Sequence, residues 1–459
     1  RRSSDLAGPS CAQAHHADFT PQAFGATPDA DATEALNRLF AAARAADAAV
    51  DFSQPLTLRT NHLRFPAGLR ITGAGVVLRA ADAIDRLWID IEEGVAIEHL
   101  NMSLSGQGGG YRIGRIGARC TIGALVLAAD RQTELAGLLA SGQDLMIGTF
   151  ESERIARPLH IAGAVKRPAS GCRLGSIRVR DYVRALRLDY LDDFTVGSVN
   201  FSGRSPQANK RPGHNGILIV GCQRGRFSQC RIDDAGEHAI RIGGANRKSV
   251  DLSFGTVVTE RAGGCAFKAN PTKRRLASER ITIASLTGID GGDPLGGNSD
   301  LLRLSHVRDV LVGRLEARAV SREFSCWTGV KLNDVRGLHV EAADIQDARR
   351  ALFVIDESSD GDPAGVYDVR IDAFRGSTSD PRAAVGIEFT SPDYEIGDIH
   401  VHGIDFAGSS PAFCRSSGDA SVRLAGAVSL NGRIHPPMGS IVTGFDVEDP
   451  RIRIELRKY

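Results

Sequence analysis

The chain has 459 residues, and its 56 Lys and Arg nearly balance 55 Asp and Glu, leaving a formal net charge of +1. That balance argues against a protein that coats nucleic acid over its whole surface, so recognition of charge has to come from local arrangement. No apolar run approaches the roughly 18 residues of a membrane span, so none is expected. The abundant glycine (51) and scarce methionine (3) suit many turns and small strand residues.

Residues 1–18 are polar and Ala-rich without periodicity and are expected to form a flexible arm. Arg1-Arg2 is not followed by an apolar stretch, so no signal peptide is visible. Residues 19–55 form a cap: Asp29, Asp31 or Thr33 can start a helix whose Leu36, Leu39, Phe40 and Ala43 share one face. Short alternating strands follow, Leu56-Thr57-Leu58, Leu63-Arg64-Phe65, Leu69-Arg70-Ile71 and Val76-Val77-Leu78.

From about residue 150 one phrase recurs, apolar–polar–apolar after a small residue, roughly every 22 to 35 residues. It reads Leu159-His160-Ile161, Leu186-Arg187-Leu188, Ile217-Leu218-Ile219, Ile240-Arg241-Ile242 and Phe267-Lys268-Ala269, then Leu302-Arg303-Leu304, Val330-Lys331-Leu332, Leu352-Phe353-Val354 and Ile387-Glu388-Phe389. Such a repeat marks a solenoid, here one of strands, expected over residues 56–415 with a C-terminal cap at 416–459. Insertions at 202–215, 288–300, 356–366 and 376–383 precede the recurring strand and should emerge on one side. Among the eight cysteines, Cys222, Cys230 and Cys265 fall on inward positions and read as core packing rather than disulfides or metal ligands.

The opening of the solenoid, Phe24-Gly25-Ala26, Asp29, Asp31 and Thr33-Glu34-Ala35-Leu36, followed by Pro66-Ala67-Gly68 and Gly73-Ala74-Gly75, resembles the pectate-lyase-like superfamily of right-handed parallel β-helices, which includes polysaccharide lyases, glycoside hydrolases and phage tailspikes. The resemblance implies an all-β, single-stranded, right-handed parallel β-helix of about a dozen rungs with an N-terminal capping helix. It implies a polysaccharide partner, a secreted or periplasmic location, and a monomer or homotrimer.

The repeat stacks Arg241, Lys268, Arg303 and Lys331 as consecutive outward residues, a cationic stripe of roughly 15 Å. Gly243, Asn270, Ser305 and Asn333 run beside it as short hydrogen-bonding neighbours. His160 and Arg187 extend the stripe at one end, and Phe353 and Glu388 end it at the other. Stacked like charges are unfavourable in a sheet and become tolerable if a polyanion binds. An acidic polysaccharide fits better than nucleic acid, because no aromatics interleave for base stacking. The competing reading is a solvated face neutralised by Glu237, Asp300 and Glu323.

Within the groove two chemistries compete. In lyases of the superfamily a Lys or Arg removes the proton α to a uronate carboxylate, which a second cation or Ca²⁺ neutralises. By that analogy Lys268 is the base, since Lys gives up its proton more readily than Arg, Arg241 and Arg303 hold the carboxylate, and His238 assists. Hydrolysis instead needs two carboxyl groups, and Asp233, Asp234 and Glu237 lie together in IDDAGEHAIRI. Of the polygalacturonase-type motifs only Asp233-Asp234 is present, and Asp-x-x-Gly is also turn chemistry. A third reading is a non-catalytic glycan-binding or structural spike. Further substrate contacts are assigned to Lys331, to His214 from its insertion, and to Trp327, which can stack on a sugar or cover a turn. No metal is required, although Asp290, Asp293, Asn298 and Asp300 offer oxygen ligands for Ca²⁺.

Overall fold

The computed structural model describes residues 19–28, 30–81, 84, 87–105, 112–205, 213–244, 246–272, 274–291, 299–320, 326–355, 365–378, 385–389, 395–408, 412–416, 423–435, 440–443 and 448–458. Its 31 strands join one continuous sheet wound into about 12 turns of a parallel β-solenoid. Each strand pairs with the equivalent strand one turn earlier and one turn later, as where Ser278–Ile289, Asp300–Arg318 and Thr328–Ile345 lie side by side. The alternation of the sequence becomes the wall of the solenoid. In Val250–Glu260, Val250, Leu252, Phe254 and Val257 are buried while Asp251 is exposed, as strand geometry requires when one face is dry. Aromatic rings stack from rung to rung inside: Phe227 lies 4.8 Å from Phe254, and Phe254 5.1 Å from Phe267.

Helix α1 (Thr33–Ala45) closes the N-terminal end. The Asp31 carboxylate accepts the Thr33 N–H at 2.9 Å and satisfies one of the free donors of the first turn. Leu36, Leu39, Phe40 and Ala43 are buried, and the Phe40 ring sits 4.8 Å from Phe65 of the first rungs. Without that lid the first rung would show water its core side chains.

The seven described cysteines are buried and unpaired. Burial pushes the thiols of Cys172, Cys222, Cys230, Cys265 and Cys326 up to about 12, as small hydrophobes in a core should behave.

The corners were not legible beforehand. At one of them nearly every turn places a residue in the left-handed region: Asp47, Gly68, Gly94, Arg119, Asp144, Gly171, Asp193, Arg224, Asp251, Arg280, Asp309, Gly337, Asp368 and Asp398. Asp tolerates this conformation better than most residues and Gly best; Arg does not. Arg224 and Arg280 are held there by paired hydrogen bonds to Asp193 (2.7 and 3.0 Å) and Asp251 (2.5 and 2.9 Å), each one turn earlier. Exposed ion pairs contribute at most about 1 kcal/mol, less than the roughly 1–3 kcal/mol such backbone costs. The ladders on both sides of the corner must therefore supply the rest. A second corner carries Arg154, Asp181, Gly203, Asp234, Arg261, Asp290 and Asp347 in the same conformation.

Candidate functional site

The recurring phrase forms one column of outward residues in unbroken register. Arg241 pairs with Lys268, Lys268 with Arg303, and Arg303 with Lys331. All four are half-buried rather than fully exposed. The column runs on in both directions. Towards the N-terminus it passes Leu218, Arg187, His160, Leu139, Arg115, Asp90 and Arg64. Towards the C-terminus it passes Val354, Glu388 and Arg415. Phe353 does not belong to it: the register puts Phe353 opposite Val330 in the core and Val354 outward. The run Ala351–Ile355 is buried throughout, so no alternation marked its inward face.

Along most of this column charge is compensated. Arg64 is paired with Glu92 and Arg115 with Asp90. Asp189 takes both His160 (2.9 Å) and Arg187 (2.8 Å), and Glu388 is clamped between Arg350 (2.8 Å) and Arg415 (2.6 Å). In the four-cation run, bounded by apolar Leu218 and Val354, Lys268 departs from this pattern. Arg241 lies 3.3 Å from Glu237, and Arg303 lies 3.8 Å from Asp300 while its Nε is buried without a hydrogen-bond partner among the described residues. Lys268 makes no hydrogen bond or ion pair among the described residues. Burial first, then the Arg303 and Arg241 guanidiniums, hold the Lys268 ammonium below the usual lysine range, against the pull of Cys265 and Glu237.

Beside the cations runs a second polar set that the sequence did not announce, because its members differ in kind. Asn215, His238, Cys265, Asp300 and Thr328 sit three residues before the outward position on successive turns, and all are buried. The Asn215 side-chain oxygen accepts the His238 N–H at 3.2 Å, and His238 Nδ1 accepts the Cys265 N–H at 2.8 Å. An accepting Nδ1 fixes the neutral tautomer with its proton on Nε2. That nitrogen stands 3.2 Å from a Glu237 oxygen but outside hydrogen-bond alignment. Burial lowers His238 to about 4. Gly264 lets the imidazole approach: a Cβ there would sit 2.5 Å from His238 Nδ1.

The carboxylates divide. Burial works against Glu237's charge, but His238, the Gly213 N–H at 2.8 Å and Arg241 outweigh it and lower Glu237 to about 2. Asp300 moves the other way, burial raising it in spite of Arg303, Lys331 and Lys268. Asp233 and Asp234 take no part in this arrangement. Asp234 stands at the second left-handed corner with two hydrogen bonds from Arg261 (2.7 and 3.1 Å). Asp233 accepts from Arg231 at 3.1 Å, and its backbone carbonyl accepts the Tyr182 hydroxyl at 2.8 Å.

The remaining contacts are near the stripe. Ser305 and Asn333 pair in register and are buried; Asn270 is half-buried, and its N–H donates to Ile242 O at 2.9 Å. The half-buried His214 offers its carbonyl to the Glu237 N–H at 2.8 Å. Trp327 is half-buried, with an indole N–H that finds no acceptor among the described residues. Of the calcium ligands, Asp290 occupies a corner and accepts the Val320 N–H at 2.7 Å, and Asp300 belongs to the polar set, while Asp293 and Asn298 lie outside the described residues, as does Glu323. Among the described residues no group of three or more His, Cys, Asp or Glu could hold a metal, and no helix is long and apolar enough to cross a membrane.

A surface depression of about 530 Å³ lies elsewhere, between Asp193, Arg224, Asp251 and Arg280. Its charges pair with one another as described for the corners, whereas beside the stripe Asn215 Nδ2, His238 Nε2 and Arg303 Nε are buried without a hydrogen-bond partner among the described residues. The candidate site is therefore placed at the stripe.

No family model matches the chain, and no curated protein matches it in sequence. Two solved structures are similar to the chain at a low level of superposition. The Family 28 exopolygalacturonase of Yersinia enterocolitica is 10% identical, with a TM-score of 0.32 over 85% of this chain and 77% of the other. The catalytic unit of the thermostable GH87 α-1,3-glucanase of Streptomyces thermodiastaticus strain HF3-3 is 12% identical, with a TM-score of 0.26 over 97% and 71%. At that level of superposition neither informs the chemistry of this chain, which rests on its own residues.

Proposed function

We propose that the chain is a carbohydrate-active β-helix protein that binds an acidic polysaccharide along the cationic stripe and cleaves it by β-elimination. The observation that carries this reading is Lys268, half-buried in register between Arg241 and Arg303 and without an acid partner among the described residues. Its neutral form is favoured by burial and by the two guanidiniums, the condition a general base requires. Arg241 and Arg303 bracket a uronate carboxylate, whose neutralisation acidifies the adjacent C–H. Lys268 Nζ takes that proton, the electron pair forms the new C=C bond, and the C–O bond to the leaving sugar breaks, the leaving oxygen taking up a proton. Lys331, Asn270, Ser305 and Asn333 line the neighbouring turns, with His214 and Trp327 at the rim. Such a substrate places the protein's work outside the cytoplasm.

A second reading rests on the divided carboxyl groups. Glu237 is held ionised and Asp300 is driven towards its protonated form, the pairing from which acid and base are assigned in a hydrolase. The test is an array of acidic and neutral polysaccharides scored in parallel for ultraviolet absorbance of an unsaturated uronate and for reducing ends. β-Elimination predicts absorbance that disappears in Lys268→Met. Reducing ends without absorbance, lost in Glu237→Gln and Asp300→Asn, overturn it in favour of hydrolysis.

A further inference from the structure

Three and four turns before Lys268 the same face carries two more arginines, Arg184 and Arg157, that the stripe does not include. Arg184 donates its N–H to Ala156 O at 2.9 Å, and Leu159 pairs with Leu186. These contacts set Arg184 directly above Arg157 on the next turn. Arg157 is exposed and Arg184 half-buried. The guanidinium groups of both lack any hydrogen bond or ion pair among the described residues. The nearby carboxylate, Asp189, is already occupied by His160 at 2.9 Å and by Arg187 at 2.8 and 2.9 Å. Burial, then Arg187 and Arg157, bring Arg184 down to about 10, with Asp189 opposing weakly. One turn further on stands Asn215, wholly buried, with an Nδ2 that finds no acceptor among the described residues. Stacked like charges next to an unused buried donor cost stability in the empty protein. The same groups supply what a planar or tetrahedral oxyanion takes from paired guanidiniums.

We propose that Arg157 and Arg184, with Asn215 beside them, form a second anion subsite that holds a carboxylate or sulfate group of the polysaccharide about 14 to 19 Å along the solenoid axis from Lys268. This rests on the acidic-polysaccharide reading for the identity of the polymer, though not on any chemistry at Lys268. The subsite fixes how the chain enters. Arg157 and Arg184 grip one anionic group, apolar Leu218 offers no charge between, and the next gripped group lies at Arg241 to Arg303. The polymer therefore has to carry anionic groups at that separation, which a block of neutral sugars does not.

Arginine-directed dicarbonyl labelling, read by mass spectrometry, tests this on the full chain with polygalacturonate, dextran sulfate and inorganic sulfate as separate probes. We expect at least one of the two polymers to protect the Arg157 and Arg184 peptides, equally in wild type and in Lys268→Met. Arg157→Gln, a change at an exposed position, should weaken binding of that polymer about tenfold, and Arg184→Lys, which keeps the charge but loses the fork, by a similar factor. Protection by inorganic sulfate alone would reveal a site for a free ion and overturn the proposal. So would absence of protection by all three probes, or unchanged polymer affinity in Arg157→Gln. Elimination is scored separately through Lys268→Met, so loss of the catalytic reading and loss of the subsite give different results.

Discussion

His238 should make the region around the stripe acid-sensitive, and His238→Asn should remove that sensitivity. The imidazole is buried and accepts the Cys265 N–H through Nδ1. Protonation would therefore place a charge in a dry site and destroy that bond. Its folded-state pKa lies at about 4 against 6.5 for an ordinary histidine. Between these values the unfolded chain binds more protons than the native one, so stability falls as pH drops from about 6.5 to about 4 and not above that window. The loss amounts to roughly 2.5 kcal/mol by pH 4.5. Asn keeps an acceptor for the Cys265 N–H and carries no titratable group. Glu237 acts in a lower window: with its pKa depressed to about 2, its contribution is present above 4.5 and is lost as pH falls towards 2. The assay is hydrogen exchange of the peptide containing the Cys265 amide, corrected for intrinsic rates, together with urea unfolding, both at pH 7 and pH 4.5. Wild type should lose roughly 2.5 kcal/mol more than His238→Asn between the two conditions. Parallel losses in the two proteins would refute the buried neutral imidazole.

Gly264→Ala should damage the same place by crowding. Its Cβ would meet His238 Nδ1 at 2.5 Å and the Glu237 carbonyl at 2.7 Å; we expect a loss of about 2–5 kcal/mol in urea unfolding from overpacking and a broken buried hydrogen bond. Arg303→Gln removes a charge that lowers the Lys268 pKa, so the rising, acid-side limb of any rate profile set by Lys268 as base should move to higher pH, measured by initial rates across pH. At the left-handed corner Asp251→Gly should be nearly neutral, whereas Asp251→Val should cost about 1–3 kcal/mol in denaturant unfolding. Thiol titration of the native protein should find no reaction at Cys120, Cys172, Cys222, Cys230, Cys265, Cys326 or Cys414, all buried, and full reaction once it is unfolded.

The stripe was legible because Arg241, Lys268, Arg303 and Lys331 each stand between two apolar residues, so period two fixes their side of the sheet. The same rule failed at Leu352-Phe353-Val354, where every neighbour is apolar and only the pairing with Val330 decides which residue turns in. The set Asn215, His238, Cys265, Asp300 and Thr328 shares a position but no residue type, so composition gave no hint of it. The constant offset of three residues before the stripe was the available signal. Asp233 and Asp234 part in the fold although they adjoin in the string. A corner that favours a left-handed residue explains Asp234, whose carboxylate Arg261 holds, whereas Asp233 takes one bond from Arg231 and keeps a buried Oδ1 without a partner among the described residues.

The column of left-handed corner residues acts as a ruler for how this molecule can change length. Each corner resets the chain, so the strand that follows it keeps its own register. The stretch from corner to stripe is longer from Asp193 to Leu218 and from Arg280 to Arg303 than from Asp251 to Lys268, yet the column stays in register. One residue inserted inside the strand Val250–Glu260 would turn the rest of that strand inside out, whereas residues added in the loop before the stripe leave it in place. The cationic face itself therefore lengthens only by whole turns, corner to corner.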